Sequence, residues 1–111
     1  MLVFFYVPCP DLDSANDVIE TLLSKKLIAC GNVVSSQSMF IWQGVQQKEE
    51  EYIICMKSIP ALTQQIQTEI LKIHPYEVPA ILHWPIESNQ AYEEWVAGCV
   101  TFENDDPEKP T

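Results

Sequence analysis

The sequence has no arginine, and its six lysines face sixteen acidic residues, for a formal net charge of −10 at neutral pH. Non-specific affinity for nucleic acid comes from clustered Lys and Arg, so this composition argues against a nucleic-acid partner. Glycine is scarce at three residues, which leaves little from which to build a phosphate-cradling loop. No apolar run approaches the ~20 residues of a membrane-spanning helix. The first apolar run, Leu2 to Val7, lacks both a basic flank and the length of a signal peptide; a leader already removed is left open. The four cysteines, Cys9, Cys30, Cys55 and Cys99, have no C-x-x-C spacing and read as reduced thiols of a cytoplasmic protein. No nucleophile with a paired base and no catalytic carboxylate pair is visible, so an enzyme is not expected.

What is present is enough apolar residue, 47% of 111 positions, to bury one core of ordinary size. We read residues 1–101 as a single domain and residues 102–111, acidic and proline-bearing, as a flexible tail. Of the net charge, −3 lies in that tail and −7 on the body. Such a field attracts cations weakly and keeps an assembly dispersed.

Leu2-Val3-Phe4-Phe5-Tyr6-Val7 is apolar on both faces and reads as a central strand, stopped by Pro8-Cys9-Pro10-Asp11. Ala15, Val18, Ile19, Leu22 and Leu23 recur at helical spacing, with Asp13 or Ser14 as cap and Lys25-Lys26 at the negative end of the dipole. Ile28 to Ser58 is rich in Ile, Val, Phe, Tyr and Trp, interrupted near Trp42-Gln43-Gly44 and by Glu49-Glu50-Glu51. It reads as two long strands in a hairpin. Arms of about 13 residues reach ~43 Å, against ~20 Å for the first strand, so the hairpin overhangs its own sheet. A ribbon carrying Met39, Phe40, Ile41 and Trp42 near its tip is expected to pair with another chain; the alternative is a ribbon bent back onto its own sheet.

Pro60 opens a second helix with Leu62, Ile66, Ile70 and Ile73 as its buried stripe, and Pro75 ends it. Ala80 to Trp84 reads as a strand closed by Pro85, and Ala91, Tyr92, Trp95, Val96 and Cys99 mark a short terminal helix. The order strand, helix, strand, strand, helix, strand is the split βαβ arrangement: an α+β fold with an antiparallel sheet and both helices on one face. Between the second helix and the last strand lies the densest chemistry, His74-Pro75-Tyr76-Glu77-Val78-Pro79. Each proline there removes an N–H and pushes its predecessor out of the α region, giving a rigid corner without secondary structure.

Cys9-Pro10-Asp11, Leu27-Ile28-Ala29-Cys30-Gly31-Asn32, Phe40-x-Trp42-x-Gly44, Lys57, His74 to Pro79 and Tyr92-x-x-Trp95 occur in that order between Val3 and Trp95. Together they resemble the CutA family of divalent-cation tolerance proteins. The resemblance implies a ferredoxin-like fold, a homotrimer built by the hairpins of the second and third strands, a cytoplasmic location and an association with copper and other divalent cations. It also implies an architecture like that of the trimeric PII signalling proteins. The chain departs from the family pattern at Gly31, where an apolar residue or alanine is usual and which here loosens a strand start. It departs again at Phe40, where tyrosine is common, and at Ile73, which leaves the His-Pro pair with a single imidazole.

For a metal, His74 is the first candidate, since imidazole suits copper and zinc; as a plain structural residue it caps the helix end. Cys9 and Cys30 are candidate thiolate ligands for Cu(I), and Cys9, in a loop between two prolines, reads as exposed enough to react. Cys55 and Cys99 read as buried, His83 as a packed or rim residue, and the three tryptophans as packing anchors. Lys57, Tyr76 and Glu77 form a second candidate set, a polar crevice between subunits for a small ligand or acid–base work, or else an interface salt bridge. The leading expectation is a metal-binding trimer. The rival is a PII-like sensor holding a small ligand in that crevice.

Overall fold

A computed structural model describes residues 1–100; the expected tail at 102–111, and the last residue of the expected domain, lie outside them. The elements are β1 (Leu2–Cys9), α1 (Leu12–Ser24), β2 (Cys30–Trp42), β3 (Val45–Ser58), a single 3-10 turn at Pro60–Leu62, α2 (Thr63–Ile73), β4 (Leu82–Ile86) and α3 (Gln90–Cys99). The four strands form one antiparallel sheet in the order β2-β3-β1-β4. This is the split βαβ sandwich, with β1 in the interior of the sheet.

Strand alternation divides β1 cleanly. Val3, Phe5, Val7 and Cys9 are buried together with Ile54 and Met56 of β3, Ala15, Val18, Ile19 and Leu22 of α1, and Ile66 and Ile70 of α2. Each such large side chain contributes roughly 1.5–3 kcal/mol on burial. The alternate residues Phe4, Tyr6 and Pro8 are half-buried on the opposite face. There α3 covers one end, with Tyr92 reaching Cys30 and Val96 fully buried.

Several boundaries differ from the sequence expectation. The cap of α1 is Asp11 and not Asp13 or Ser14, its Oδ1 accepting the Ser14 N–H at 2.7 Å. That bond holds the Asp11 carboxyl below its ordinary pKa. At the other end Lys26 takes a left-handed φ of 56°, and the Leu27 and Lys26 N–H groups bond the carbonyls of Leu22 and Leu23. This is a Schellman closure with lysine where glycine is usual. Leu23 and Ile73, expected in buried stripes, are 42% and 36% exposed. Pro85 lies inside β4 and does not close it, because an edge strand tolerates a missing donor.

The hairpin turns through Gln43 and Gly44, both at positive φ (52° and 79°), as a two-residue turn matched to strand twist requires. Its register is unbroken from Cys30↔Lys57 to Trp42↔Val45, so the Glu49-Glu50-Glu51 run is strand and not an interruption. β1 pairs with β3 only from Tyr52 to Ser58, leaving Val45 to Glu51 with β2 as sole neighbour. The ribbon stands off the body, and the molecule measures 55 × 28 × 20 Å. Met39, Ile41 and Val45 are 66%, 75% and 58% exposed, so the tip is not folded onto its own sheet.

Candidate functional site

The corner is built from the end of α2. The His74 N–H closes the helix on the Ile70 carbonyl at 2.9 Å, and Pro75 prevents another turn. The backbone leaves in an extended conformation and carries the His74 ring inward, where the residue is 8% exposed. Nδ1 accepts the Tyr76 backbone N–H at 3.1 Å. Because an amide can only donate, Nδ1 is unprotonated, and Nε2 carries the hydrogen that it donates to the Pro8 carbonyl at 2.8 Å. The Cys9 Sγ lies 3.7 Å from the same Nε2.

That contact explains how a proline survives in an interior strand. The pairing of β4 with β1 ends at Tyr6↔Leu82, so no strand flanks Pro8 on that side. With its carbonyl bonded by His74, Pro8 has no ladder bond to supply there. β1 therefore runs on through Cys9, which is fully buried. The expectation of an exposed, reactive Cys9 is overturned. Burial, aided by the Asp11 and Glu51 charges, pushes its thiol up to about 12, far from the thiolate that reacts or binds metal.

The Tyr76 ring lies against His74 with centroids 5.0 Å apart, and its hydroxyl donates to Glu51 Oε2 at 2.5 Å. Desolvation, then the Glu51 hydrogen bond and charge, raise the phenol well above its ordinary range. The corner and the overhanging half of the hairpin thereby border a groove of about 690 Å³. Its apolar wall is Pro8, Pro10, Met39, Phe40 and Trp42, and its polar groups include Glu49, Glu51, Tyr76 and Glu77.

The sequence candidates thus fall into two places. His74 and Cys9 meet behind the groove, and Tyr76 and Glu77 line it. Lys57 does not: its Nζ is 3.1 Å from Asn32 Oδ1 and 3.6 Å from Cys30 Sγ, which is 3.4 Å from the Tyr92 hydroxyl. The bond to Cys30 comes first among the causes that raise the Tyr92 hydroxyl to about 12. Cys30 pairs with Lys57 and Cys9 with Tyr52, so the two thiols lie on opposite faces, roughly 17 Å apart along β3. His83 is exposed on β4, its ring 5.2 Å from that of Phe5. The residue the sequence reading missed is Glu51, 6% exposed. Its signal was alternation within the acidic run, which puts Glu49 and Glu51 on one face of the ribbon and Glu50 on the other.

An α+β sandwich with an overhanging hairpin and an acid-lined groove at a proline-braced corner defines the class. The family model described as CutA1 divalent ion tolerance protein matches residues 3–99. The chain belongs to that family. It is 31% identical over 96 residues to the divalent-cation tolerance protein CutA of Pyrococcus horikoshii, covering 86% of this chain and 94% of that one. A crystal structure of a CutA1 variant from Pyrococcus horikoshii OT3 superposes with a TM-score of 0.88 at 31% identity, over 90% of this chain and 99% of that chain. The structure described as the periplasmic divalent cation tolerance protein CutA from Archaeoglobus fulgidus gives 0.87 at 29% identity, over 91% and 100%.

The family implies a divalent metal ion, and the donors of one chain do not fit a closed centre for it. Both nitrogens of His74 are committed to backbone groups, Cys9 is a buried neutral thiol, and Cys30 lies on the other face. Among the described residues no three His, Cys, Asp or Glu side chains gather to hold a metal ion, whereas a closed transition-metal site commonly takes about four donors.

Proposed function

We propose that the chain serves divalent-cation tolerance as a cytoplasmic homotrimer, without turning over a substrate, and meets copper or other divalent ions with donors shared between subunits. Membership of the CutA1 family supports the cation role. The observation that carries the reading is the hairpin: β2 is an edge strand, β3 lacks a second neighbour from Val45 to Glu51, and the tip exposes Met39, Ile41, Trp42 and Val45. Unpaired edges with exposed apolar side chains are stable when another chain covers them. Such pairing sets the groove of one copy beside the ribbon of the next. The four free thiols support a reducing compartment, and fractionation with an antibody to the chain checks it.

Sedimentation at low protein concentration tests the assembly; a monomer contradicts it. Calorimetric titration of the reduced protein with Cu(I), Cu(II) and Zn(II), repeated on His74→Ala, Cys9→Ser and Cys30→Ser, tests the ion. Affinity unchanged in all three variants removes these residues from the role. The groove favours a second reading, a PII-like sensor that takes a small ligand, because its volume of about 690 Å³ suits a small molecule better than an ion. A thermal-shift screen of metabolites tests that reading, since a ligand binding only the native state raises its melting temperature.

A further inference from the structure

We propose that the groove binds a small organic ammonium ion, a protonated or quaternary amine on a short apolar body. The inference rests on the small-ligand reading of the groove and specifies its chemistry. Glu51 carries it. This carboxylate is 6% exposed, and its hydrogen-bond donor is the neutral Tyr76 hydroxyl. The ion pairs among the described residues are those of the amino terminus with Glu93 and of Lys25 and Lys72 with Glu69, so Glu51 has no counter-charge among them. A buried charge is costly until an opposite charge meets it.

The walls select what can supply that charge. Glu49 and Glu77 add negative potential, and no lysine among the described residues lines the groove, so a nucleotide or another phosphorylated or carboxylated metabolite is repelled. A bare Mg²⁺ or Ca²⁺ wants six or more oxygen ligands, and the carboxylates do not converge for one. An ammonium group needs no such convergence. It pairs with one carboxylate and sits over aromatic faces, which Phe40, Trp42 and Tyr76 supply. Pro8 and Pro10 then receive its apolar body. The groove is more spacious than one lysine side chain from a neighbouring copy would fill, which favours a free molecule.

The test is calorimetric titration of the full chain with phenethylamine and butyltrimethylammonium, against the neutral 2-phenylethanol and the anionic 3-phenylpropanoate. Both cations should bind, the alcohol should bind about tenfold more weakly or worse, and the anion should not bind. Glu51→Gln, nearly isosteric and able to accept the Tyr76 bond, should lose about tenfold or more for the cations. Tyr92→Phe, on the far end of the sheet, should lose nothing. Failure of both amines at millimolar concentration, equal binding of the alcohol, or wild-type affinity in Glu51→Gln overturns the proposal. If an anionic metabolite binds and its binding depends on Tyr76, the groove reading stands and the cation inference alone falls. If nothing binds and Lys48→Gln, on the exposed overhang of β3 opposite Met39, weakens assembly in sedimentation, a second copy supplies the charge and both fall.

Discussion

β3 is one strand with two environments. From Tyr52 to Ser58 it has β1 on one side and β2 on the other, and Ile53, Ile54, Met56 and Ser58 are buried. From Val45 to Glu51 it has β2 alone, and only Glu51 is buried. The difference separates two uses of β structure: the first half builds the domain, and the second projects pairing edges and apolar side chains beyond it. Glu51 is the last residue of the overhang before the doubly paired half, and there the corner ties in through Tyr76. The groove thus runs outward from the boundary between the doubly paired half of β3 and its overhang.

The largest contrast is between cores. Ile54→Ala, in the doubly paired half, should cost about 2–5 kcal/mol in urea unfolding, from lost transfer energy plus a cavity. Ile41→Lys, at the 75% exposed tip, should leave the spectroscopic signature of the fold intact and raise the dissociation constant of the proposed assembly about tenfold or more. If the tip variant unfolds the domain as Ile54→Ala does, the two halves are not separate in function.

Gly31 sharpens the same comparison from the other strand. It pairs with Met56 on the core face, and a Cβ there would lie 2.9 Å from Ile19 Cγ1 and 3.0–3.1 Å from the Cδ1 and Cγ2 of the same side chain. The glycine expected to loosen a strand start instead lets α1 press close to β2. Gly31→Ala should cost about 1–3 kcal/mol by overpacking, and Ile19→Val in the same chain should recover part of it. An unchanged or raised urea midpoint for the single variant would show that Ile19 turns aside without strain.

How much of this was legible in the residues follows from the kind of signal. Period-2 and period-3.6 patterns in Leu2 to Val7 and Ala15 to Leu22, turn chemistry at Gln43-Gly44 and the length mismatch of the hairpin are local, and they give the element order and the overhang. The site is non-local. Pro8 reads as a strand stop until the Tyr6↔Leu82 end of β4 and the His74 ring are known, and Cys9 reads as exposed for the same reason. Lys57 and Tyr76 both looked like crevice residues, but Lys57 stands six residues along β3 from Glu51, about 20 Å away, and meets Cys30 and Asn32 at the far end. Glu51 was hidden in a run whose composition suggests a break. The position of the hydroxyl that meets it depends on where α2 ends in space.

At the boundary itself, Tyr76→Phe removes the hydroxyl donor to Glu51 and leaves a mostly buried carboxylate short of a partner. The expected loss is about 1 kcal/mol, the low end for such a change, because water in the groove can reach the freed oxygen. The near-isosteric ring keeps its contact with His74, so the core should be undisturbed. A loss as large as that of Ile54→Ala would mean that the corner, and not the helix-covered core, organises the fold.

The smallest effect concerns Cys9, which pairs with Tyr52 at the same boundary. Its thiol is raised from 9.0 to about 12 by burial first, then by the Asp11 and Glu51 charges. The folded state therefore holds a proton that the unfolded chain releases near pH 9. The stabilising contribution is complete below that value and is lost as the pH climbs toward the folded-state pKa. Urea midpoints of the wild type should fall with pH from about 8.5 to 10.5, and those of Cys9→Ala should fall less steeply over the same interval. The difference in slope is the readout, since truncating a buried thiol lowers stability at every pH. Parallel slopes would mean that water reaches Cys9 through the groove, and that the boundary is open on its inner side as well.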